Sequence, residues 1–144
     1  MKINWALASA LTLVTTVVSA QASAVNIPAL VEALRLAAPQ TGTANDGLYT
    51  DWQIKPENIP RWSRLCINEE LTPAQFEADT AKARQVLACV MEDIVNQEYP
   101  NSGNDQAIAV RRAAAWWMTG DPDQYNQGET ATYTQKVLEF YQQQ

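Results

Sequence analysis

The chain contains no histidine, and it has only two cysteines and five glycines among its 144 residues. Without histidine it lacks the usual general base near neutral pH, the usual haem ligand and the commonest zinc ligand. A Gly-x-Ser-x-Gly nucleophile elbow, a phosphate-binding glycine loop and a Cys-x-x-Cys pair are also missing from the sequence. We therefore expect no cofactor and no metal site, and carboxylates are the main groups left for catalysis.

The first 24 residues have the composition of a cleavable signal peptide. Lys2 supplies a positive charge, and residues 5–20 form an uncharged and mostly apolar stretch. Three small residues that end at Ala24 match what signal peptidase requires, which predicts cleavage between Ala24 and Val25. The sequence therefore predicts an extracytoplasmic protein, either periplasmic or secreted.

Two alternatives to that cleavage remain open. Residues 18–20 form a second acceptable cleavage site, and the stretch could also stay uncleaved as a membrane anchor. The anchor is disfavoured because residues 5–20 are short for a bilayer span, which needs about 20 residues, and because five of these positions are Ser or Thr. We expect no stable membrane insertion after cleavage.

Residues 25–144 are predicted to form a single helical domain, since this length supports one hydrophobic core. Loss of Lys2 leaves nine basic residues against 16 acidic ones, a net charge of −7. Nucleic acids and anionic membranes reward clustered Lys and Arg, so both are poor partners for such a domain. We expect another protein as the partner, and the sequence does not predict an oligomeric state.

Cys66 and Cys89 are predicted to form a disulfide, because an exported protein meets an oxidising compartment. In the chain-entropy model such a bridge stabilises the fold by about 3 kcal/mol. The alternatives are two free thiols or a metal pair. The metal pair is disfavoured because a chain without histidine lacks the further ligands that zinc normally takes.

Apolar residues at spacings of three and four predict an all-α fold, a small irregular bundle of four helices, or of five if one short segment counts. The bundle is stapled by the disulfide and preceded by the signal peptide. No segment alternates with a period of two for long enough to be a strand. The predicted helices are 27–38, a short segment over 59–65, 72 to about 97, 105–118 and 129–142.

Adjacent tryptophans, Trp116 and Trp117, are the most conspicuous pair in the sequence. They could fill two contacts between helices, or they could anchor a partner protein or an apolar ligand. Arg111 and Arg112 precede them, and could either form internal salt bridges or join the tryptophans in a recognition patch. Tyr133 lies on the apolar face of the last helix.

Acidic residues provide two weaker candidates for a functional site, a pair of catalytic carboxylates and a calcium-binding loop. Glu69 and Glu70 are adjacent, as are Glu92 and Asp93, so neither pair converges on one substrate atom if it is helical. The loop 120–129 has oxygen donors at alternate positions, as calcium loops do, but it lacks their glycine at the sixth position and glutamate at the twelfth. An ordinary turn is the simpler interpretation.

The hypothesis that the sequence favours is an exported soluble helical domain that acts as a non-enzymatic protein-interaction module. The candidate binding residues are Arg111, Arg112, Trp116, Trp117 and Tyr133. One alternative is a protein that binds a small apolar ligand in a pocket between helices, lined by Trp116, Trp117 and Tyr133. The other is a carboxylate-dependent hydrolase.

Overall fold

A computed structural model describes residues 24–41 and 45–144, so the predicted signal peptide lies outside the described residues except for Ala24. The described chain has six α-helices and no β-strand, and none of its helices is long and apolar enough to cross a bilayer. The all-α prediction is confirmed, with six helices in place of four or five. They are α1 (Ile27–Ala37), α2 (Asn58–Ile67), α3 (Pro73–Ala78), α4 (Thr80–Asn101), α5 (Gln106–Thr119) and α6 (Gly128–Gln142), with a 3₁₀ turn (Pro122–Asn126) before α6.

The first helix, α1, begins where its sequence signals place it. The Asn26 side chain accepts a hydrogen bond of 3.1 Å from the backbone N–H of Ala29, and Pro28 has no N–H that would need a partner. Leu30 and Leu34 are fully buried on the face that packs against α4 and α6. The predicted helix is confirmed to within one residue.

The segment that we predicted as one helix from Thr72 is two helices, α3 and α4. The start is as expected, since Thr72 and Gln75 form a capping box. The chain then leaves helical geometry at Asp79, whose φ of −124° and ψ of 87° are not helical. The Asp79 carboxylate accepts a 3.0 Å hydrogen bond from the backbone N–H of Lys82 and so caps a new helix. An aspartate side chain that bonds nearby backbone competes with helix continuation, which explains the break.

The central element is α5, which packs against α4, α6 and the 3₁₀ turn. Ala109, Ala113 and Ala114 are fully buried, and their small side chains allow the neighbouring helices to approach. Gly120 ends the helix with a φ of 81°, a left-handed conformation that glycine adopts without strain. Both ends of this helix agree with the prediction to within one residue.

The predicted disulfide is confirmed. Cys66 on α2 and Cys89 on α4 are bonded, with their Cα atoms 5.9 Å apart. Only Ile59 and Ser63 of α2 are buried, and Trp62, Cys66 and Ile67 are partly buried against the core. The bridge adds a covalent link to the packing contacts between α2 and α4.

Candidate functional site

A cleft of about 630 Å³ opens beside the last turn of α5. Its walls come from residues 39–41 and 48–55, from α2, from residues 116–120 and from α6. All four tryptophans of the described chain line this cleft. We call it the tryptophan cleft, and its aromatic side chains are Trp52, Trp62, Trp116, Trp117 and Tyr133.

The indole rings of α2 and α5 are in contact inside the cleft. Trp62 stacks on Trp117 with ring centroids 5.7 Å apart and an angle of 29° between the planes. Trp62 also lies 6.4 Å from the ring of Trp116, with the planes tilted by 35°. Both members of the adjacent pair therefore contact one ring from another helix. The structure brings Trp116, Trp117 and Tyr133 into the same cleft.

The turn that carries Trp52 is held in an uncommon conformation. Tyr49 and Ile54 exchange two backbone hydrogen bonds of 2.9 Å, which closes a four-residue turn between them. Within that turn Thr50 has a φ of 62° and Gln53 a φ of 58°. A β-branched residue rarely adopts positive φ, and such strain persists only where the surroundings impose it. Strained backbone of this kind clusters at functional sites, which favours this turn as part of one.

Trp52 is almost completely buried and is fixed from two directions. Its indole N–H donates a 2.8 Å hydrogen bond to the backbone carbonyl of Val31 on α1. The guanidinium group of Arg84 lies 5.0 Å from its ring centroid, within the range of a cation–π contact. The ring of Trp52 is therefore a rigid part of the cleft wall.

Several polar groups of the cleft have no partner among the described residues. These are the indole N–H groups of Trp62, Trp116 and Trp117 and the hydroxyl of Tyr133, which are all donors. Burial raises the pKa of the Tyr133 hydroxyl far above its usual value, so it remains protonated. The side-chain oxygen of Gln53 is buried and accepts no hydrogen bond, although its amide nitrogen donates to a backbone carbonyl. Unpaired groups of this kind are available to a ligand.

The charged residues that line the cleft are both basic. Lys55 and Arg61 are exposed at its mouth, and the lining contains no Asp or Glu. Arg61 donates a 2.8 Å hydrogen bond to the side-chain oxygen of Asn58, one helical turn away. The cleft therefore has an apolar, aromatic interior and a positively charged rim.

Arg111 and Arg112 lie outside the cleft lining and hold the 3₁₀ turn against α5 and α6. The Arg111 side chain donates to the backbone carbonyl of Tyr125 at 3.1 Å and to the hydroxyl of Thr134 at 3.2 Å. Both guanidinium groups face the ring of Tyr125, at 5.4 and 5.6 Å from its centroid. The structure therefore separates these two arginines from the tryptophans that follow them in sequence.

Arg112 also forms an ion pair with Glu98 and another with Asp123, each at 2.7 Å. The side chains of Arg112 and Glu98 are only 13% and 10% exposed. These contacts correspond to the internal salt bridges that we considered for Arg112 in the sequence. A recognition patch that needs its guanidinium group at the surface would have to break them.

The candidate catalytic carboxylates do not converge in the described chain. Glu69 pairs with Lys82 at 2.8 Å, and Glu70 pairs with Arg64 at 2.6 Å. Glu92 is exposed on α4. Two carboxylates that face each other across a cleft are what a hydrolase of the glycosidase type needs, and these three do not supply that arrangement.

The loop that we compared with a calcium site is mostly the 3₁₀ turn. The carboxylate of Asp121 accepts a 2.9 Å hydrogen bond from the backbone N–H of Asp123 and so caps this turn. Within residues 24–41 and 45–144, no group of three Cys, Asp or Glu side chains is placed to hold a metal ion. The ordinary-turn interpretation agrees with these contacts.

A second cleft, of about 530 Å³, adjoins the first and shares Leu48, Trp52 and Gln53 with it. It is lined by Arg35 and Arg84, and both of these side chains bind Glu32. The hydrogen bonds from Arg35 and Arg84 lower the pKa of Glu32 to about 2. This second cleft is therefore polar, and its positive charges are already paired.

Most residues of the tryptophan cleft were not singled out from the sequence, among them Trp52, Trp62, Gln53, Lys55 and Arg61. The tryptophan content itself was a usable signal, because a chain with no more than two phenylalanines has five tryptophans. Nothing in the local sequence identifies Gln53, whose role depends on the turn between Tyr49 and Ile54.

Comparison with known proteins gives no match: no family model, no curated protein and no solved structure is similar to this chain.

Proposed function

We propose that the protein binds a small molecule with a flat apolar body in the tryptophan cleft. The observation that carries the proposal is the gathering of all four described tryptophans around one cavity of about 630 Å³. Small-molecule sites typically have volumes of about 300–1,000 Å³, with mostly apolar and aromatic walls and a few polar groups. This is the ligand-binding alternative from the sequence, enlarged by Trp52 and Trp62.

The arrangement of the rings suits a flat ligand. Trp62 and Trp117 are already stacked, and aromatic pairs of this geometry contribute about 0.5–1.5 kcal/mol beyond the area that they bury. A flat ring that enters the cleft extends this stack and gains the same kind of contact. Because Trp52 is fixed by Val31 and Arg84, the part of the wall that it forms is rigid before the ligand arrives.

The test is a titration of the ¹⁵N-labelled protein with naphthalene-2-methanol, a flat and uncharged probe. Indole N–H groups give well-separated NMR signals, so each tryptophan reports on its own. We expect saturable shifts of the Trp62, Trp116 and Trp117 indole signals, because these donors are unpaired in the described chain. Shifts that stay linear up to the solubility limit of the probe would refute the proposal.

Two variants locate the binding site. W117A removes the ring that stacks on Trp62, and we expect it to weaken the probe by about three- to tenfold, in proportion to the lost aromatic contact. The matched control is L65A, since Leu65 is 76% exposed on α2 and does not line the cleft. Equal losses in both variants would place the probe elsewhere.

A second proposal keeps the protein-interaction hypothesis, with a partner that inserts an aromatic side chain into the cleft. Met118 lines the cleft and is 41% exposed, and Leu65 lies three residues after Trp62 on the same helix. Side chains at this spacing are neighbours, so an exposed apolar surface extends beyond the cleft. Native mass spectrometry of the protein purified from its source tests this, because a partner must remain bound to the wild type and be lost from L65A/M118A.

We also propose that the protein is exported and cleaved before Val25. In support, Val25 is 6% exposed and belongs to the core, whereas Ala24 is exposed, and the Cys66–Cys89 disulfide suits an oxidising compartment. The test is an intact-mass measurement, without reduction, of the protein from the envelope or culture fluid. A mass that corresponds to a chain beginning at Met1 would refute cleavage. A mass that corresponds to a chain beginning at Gln21 would place the cleavage after Ala20 instead.

A further inference from the structure

We propose that the ligand of the tryptophan cleft is a flat apolar acid, a ring system that bears one carboxylate. This inference rests on the proposed function and adds the charge of the ligand to it. The aromatic interior takes the ring, and Lys55 and Arg61 at the mouth of the cleft take the carboxylate.

The net charge of the cleft lining is positive, whereas that of the whole chain is negative. The whole sequence has 16 acidic residues and 10 basic ones, so acidic side chains predominate on an average patch of surface. The lining of the tryptophan cleft nevertheless contains Lys55 and Arg61 and no acidic residue. A lining of this composition attracts an anion and disfavours a cation.

The two cations also differ from most others in the described chain by having no carboxylate partner. Ion pairs engage five of the nine described basic residues: Arg35, Arg64, Lys82, Arg84 and Arg112. Arg111 donates to carbonyl and hydroxyl oxygens of the protein, and Lys136 lies against the ring of Phe140. Lys55 and Arg61 thus keep their charge available to a ligand carboxylate.

The second cleft supplies an internal contrast. It also contains two arginines, Arg35 and Arg84, but Glu32 binds both of them, and Asp51 lies 3.6 Å from Arg35. Their positive charge is therefore neutralised within the protein. Of these two clefts, only the tryptophan cleft combines an aromatic interior with cations that have no carboxylate partner in the described chain.

The uncharged polar groups of the cleft point to the same class of ligand. Four donors without partners among the described residues line it, the indole N–H groups of Trp62, Trp116 and Trp117 and the hydroxyl of Tyr133. The one buried acceptor without a partner is the side-chain oxygen of Gln53. A site rich in donors recognises acceptors, and a carboxylate accepts several hydrogen bonds through its two oxygens.

Three probes with one ring system separate charge from shape. Isothermal titration calorimetry at low salt compares naphthalene-2-carboxylate, naphthalene-2-methanol and naphthalen-2-ylmethylamine, which are anionic, neutral and cationic near neutral pH. We expect the carboxylate to bind about tenfold more tightly than the alcohol, and the amine to bind most weakly. The advantage of the carboxylate should shrink as salt is added, because the rim is exposed to solvent.

Matched double variants show which cations matter. In K55Q/R61Q the carboxylate should lose its tenfold advantage, while the affinity for the alcohol stays as in the wild type. K136Q/R64Q removes the same charge away from the cleft, and we expect it to keep the preference. Circular dichroism establishes that both variants fold, which is expected because all four side chains are exposed.

The outcomes distinguish the two proposals. Equal binding of the three probes, or a preference for the carboxylate that survives in K55Q/R61Q, would overturn the acid inference and leave the binding function intact. A preference lost equally in both double variants would assign it to net charge and would also overturn the inference. The absence of saturable binding by every probe would overturn the proposed function itself.

Discussion

Among single residues, Arg112 carries the clearest structural role. Its partner Glu98 has a carboxylate that is only 10% exposed, at 2.7 Å from the guanidinium group. Removing one member of a buried ion pair leaves the other charge uncompensated, which costs about 3–5 kcal/mol when burial is complete. Since both groups keep some contact with water, we expect R112A to lower the free energy of unfolding by about 2–3 kcal/mol in urea denaturation.

The control for this variant is K136A. Lys136 is exposed and has no ion pair in the described chain, so its loss should change the free energy of unfolding by less than about 0.5 kcal/mol. If R112A lowered the free energy of unfolding no more than K136A does, the ion pairs of Arg112 would not be needed for stability. Its guanidinium group would then be free to act at the surface. That result would favour the recognition patch that we considered from the sequence.

The lowered pKa of Glu32 predicts how the free energy of unfolding changes as the pH falls. Arg35 and Arg84 lower the pKa of Glu32 from an ordinary 4.5 to about 2. A carboxyl group whose pKa is depressed in the folded state stabilises the fold above its unfolded pKa, and this stabilisation disappears as pH falls through the folded pKa. We therefore expect acidification from about pH 5 to pH 2 to remove about 1–2 kcal/mol through Glu32.

The measurement is the difference between wild type and E32Q in urea unfolding, across the same pH range. The wild type should be more stable than E32Q at pH 5, and the gap should narrow toward pH 2. The matched control is E92Q, an exposed glutamate on α4, which should follow the wild-type curve at every pH. A constant gap between wild type and E32Q would contradict the assigned pKa.

At the scale of elements, we expect the stability of α2 to depend in part on the disulfide. The bridge joins residues that are 23 positions apart, and closing a loop of this length stabilises the fold by about 3 kcal/mol in the chain-entropy model. Only Ile59 and Ser63 of this helix are buried. We expect C66S/C89S to lose about that free energy of unfolding, with the loss measured by urea denaturation.

The same variant should bind a ligand of the tryptophan cleft less tightly, because α2 carries Trp62, Arg61 and Asn58 into the cleft. Titration of C66S/C89S with naphthalene-2-methanol measures this effect, and wild-type protein treated with a reductant should behave in the same way. If stability fell while affinity stayed unchanged, contacts other than the disulfide would be what positions Trp62.

Helix ends were predictable where one side chain decides them. Thr72, Asp105 and Gly120 each start or end a helix through a local bond or a left-handed backbone, and each was visible in the sequence. The break at Asp79 was not predicted, because aspartate is also tolerated inside helices and the apolar period continues across it. The break shows only in the structure, where the Asp79 backbone is not helical and its carboxylate caps Lys82.

At the scale of the whole molecule, the disulfide was predictable because two cysteines allow one pairing. The tryptophan cleft was predictable in part, since Trp116, Trp117 and Tyr133 were already candidates. Its other half depends on tertiary packing, which brings the turn around Trp52 and one face of α2 to the end of α5. No local pattern encodes a contact between segments that lie so far apart in sequence.

All tryptophans of the described chain lie in one cleft, and this arrangement determines the near-ultraviolet spectra of the protein. Indole rings whose centroids are 5.7 and 6.4 Å apart couple their electronic transitions, so near-ultraviolet circular dichroism should show a paired band from Trp62 and its neighbours. All of the tryptophan emission of the described chain comes from this cleft, and its Trp52 also belongs to the hydrophobic core. That emission should therefore respond both to a ligand in the cleft and to unfolding of the core.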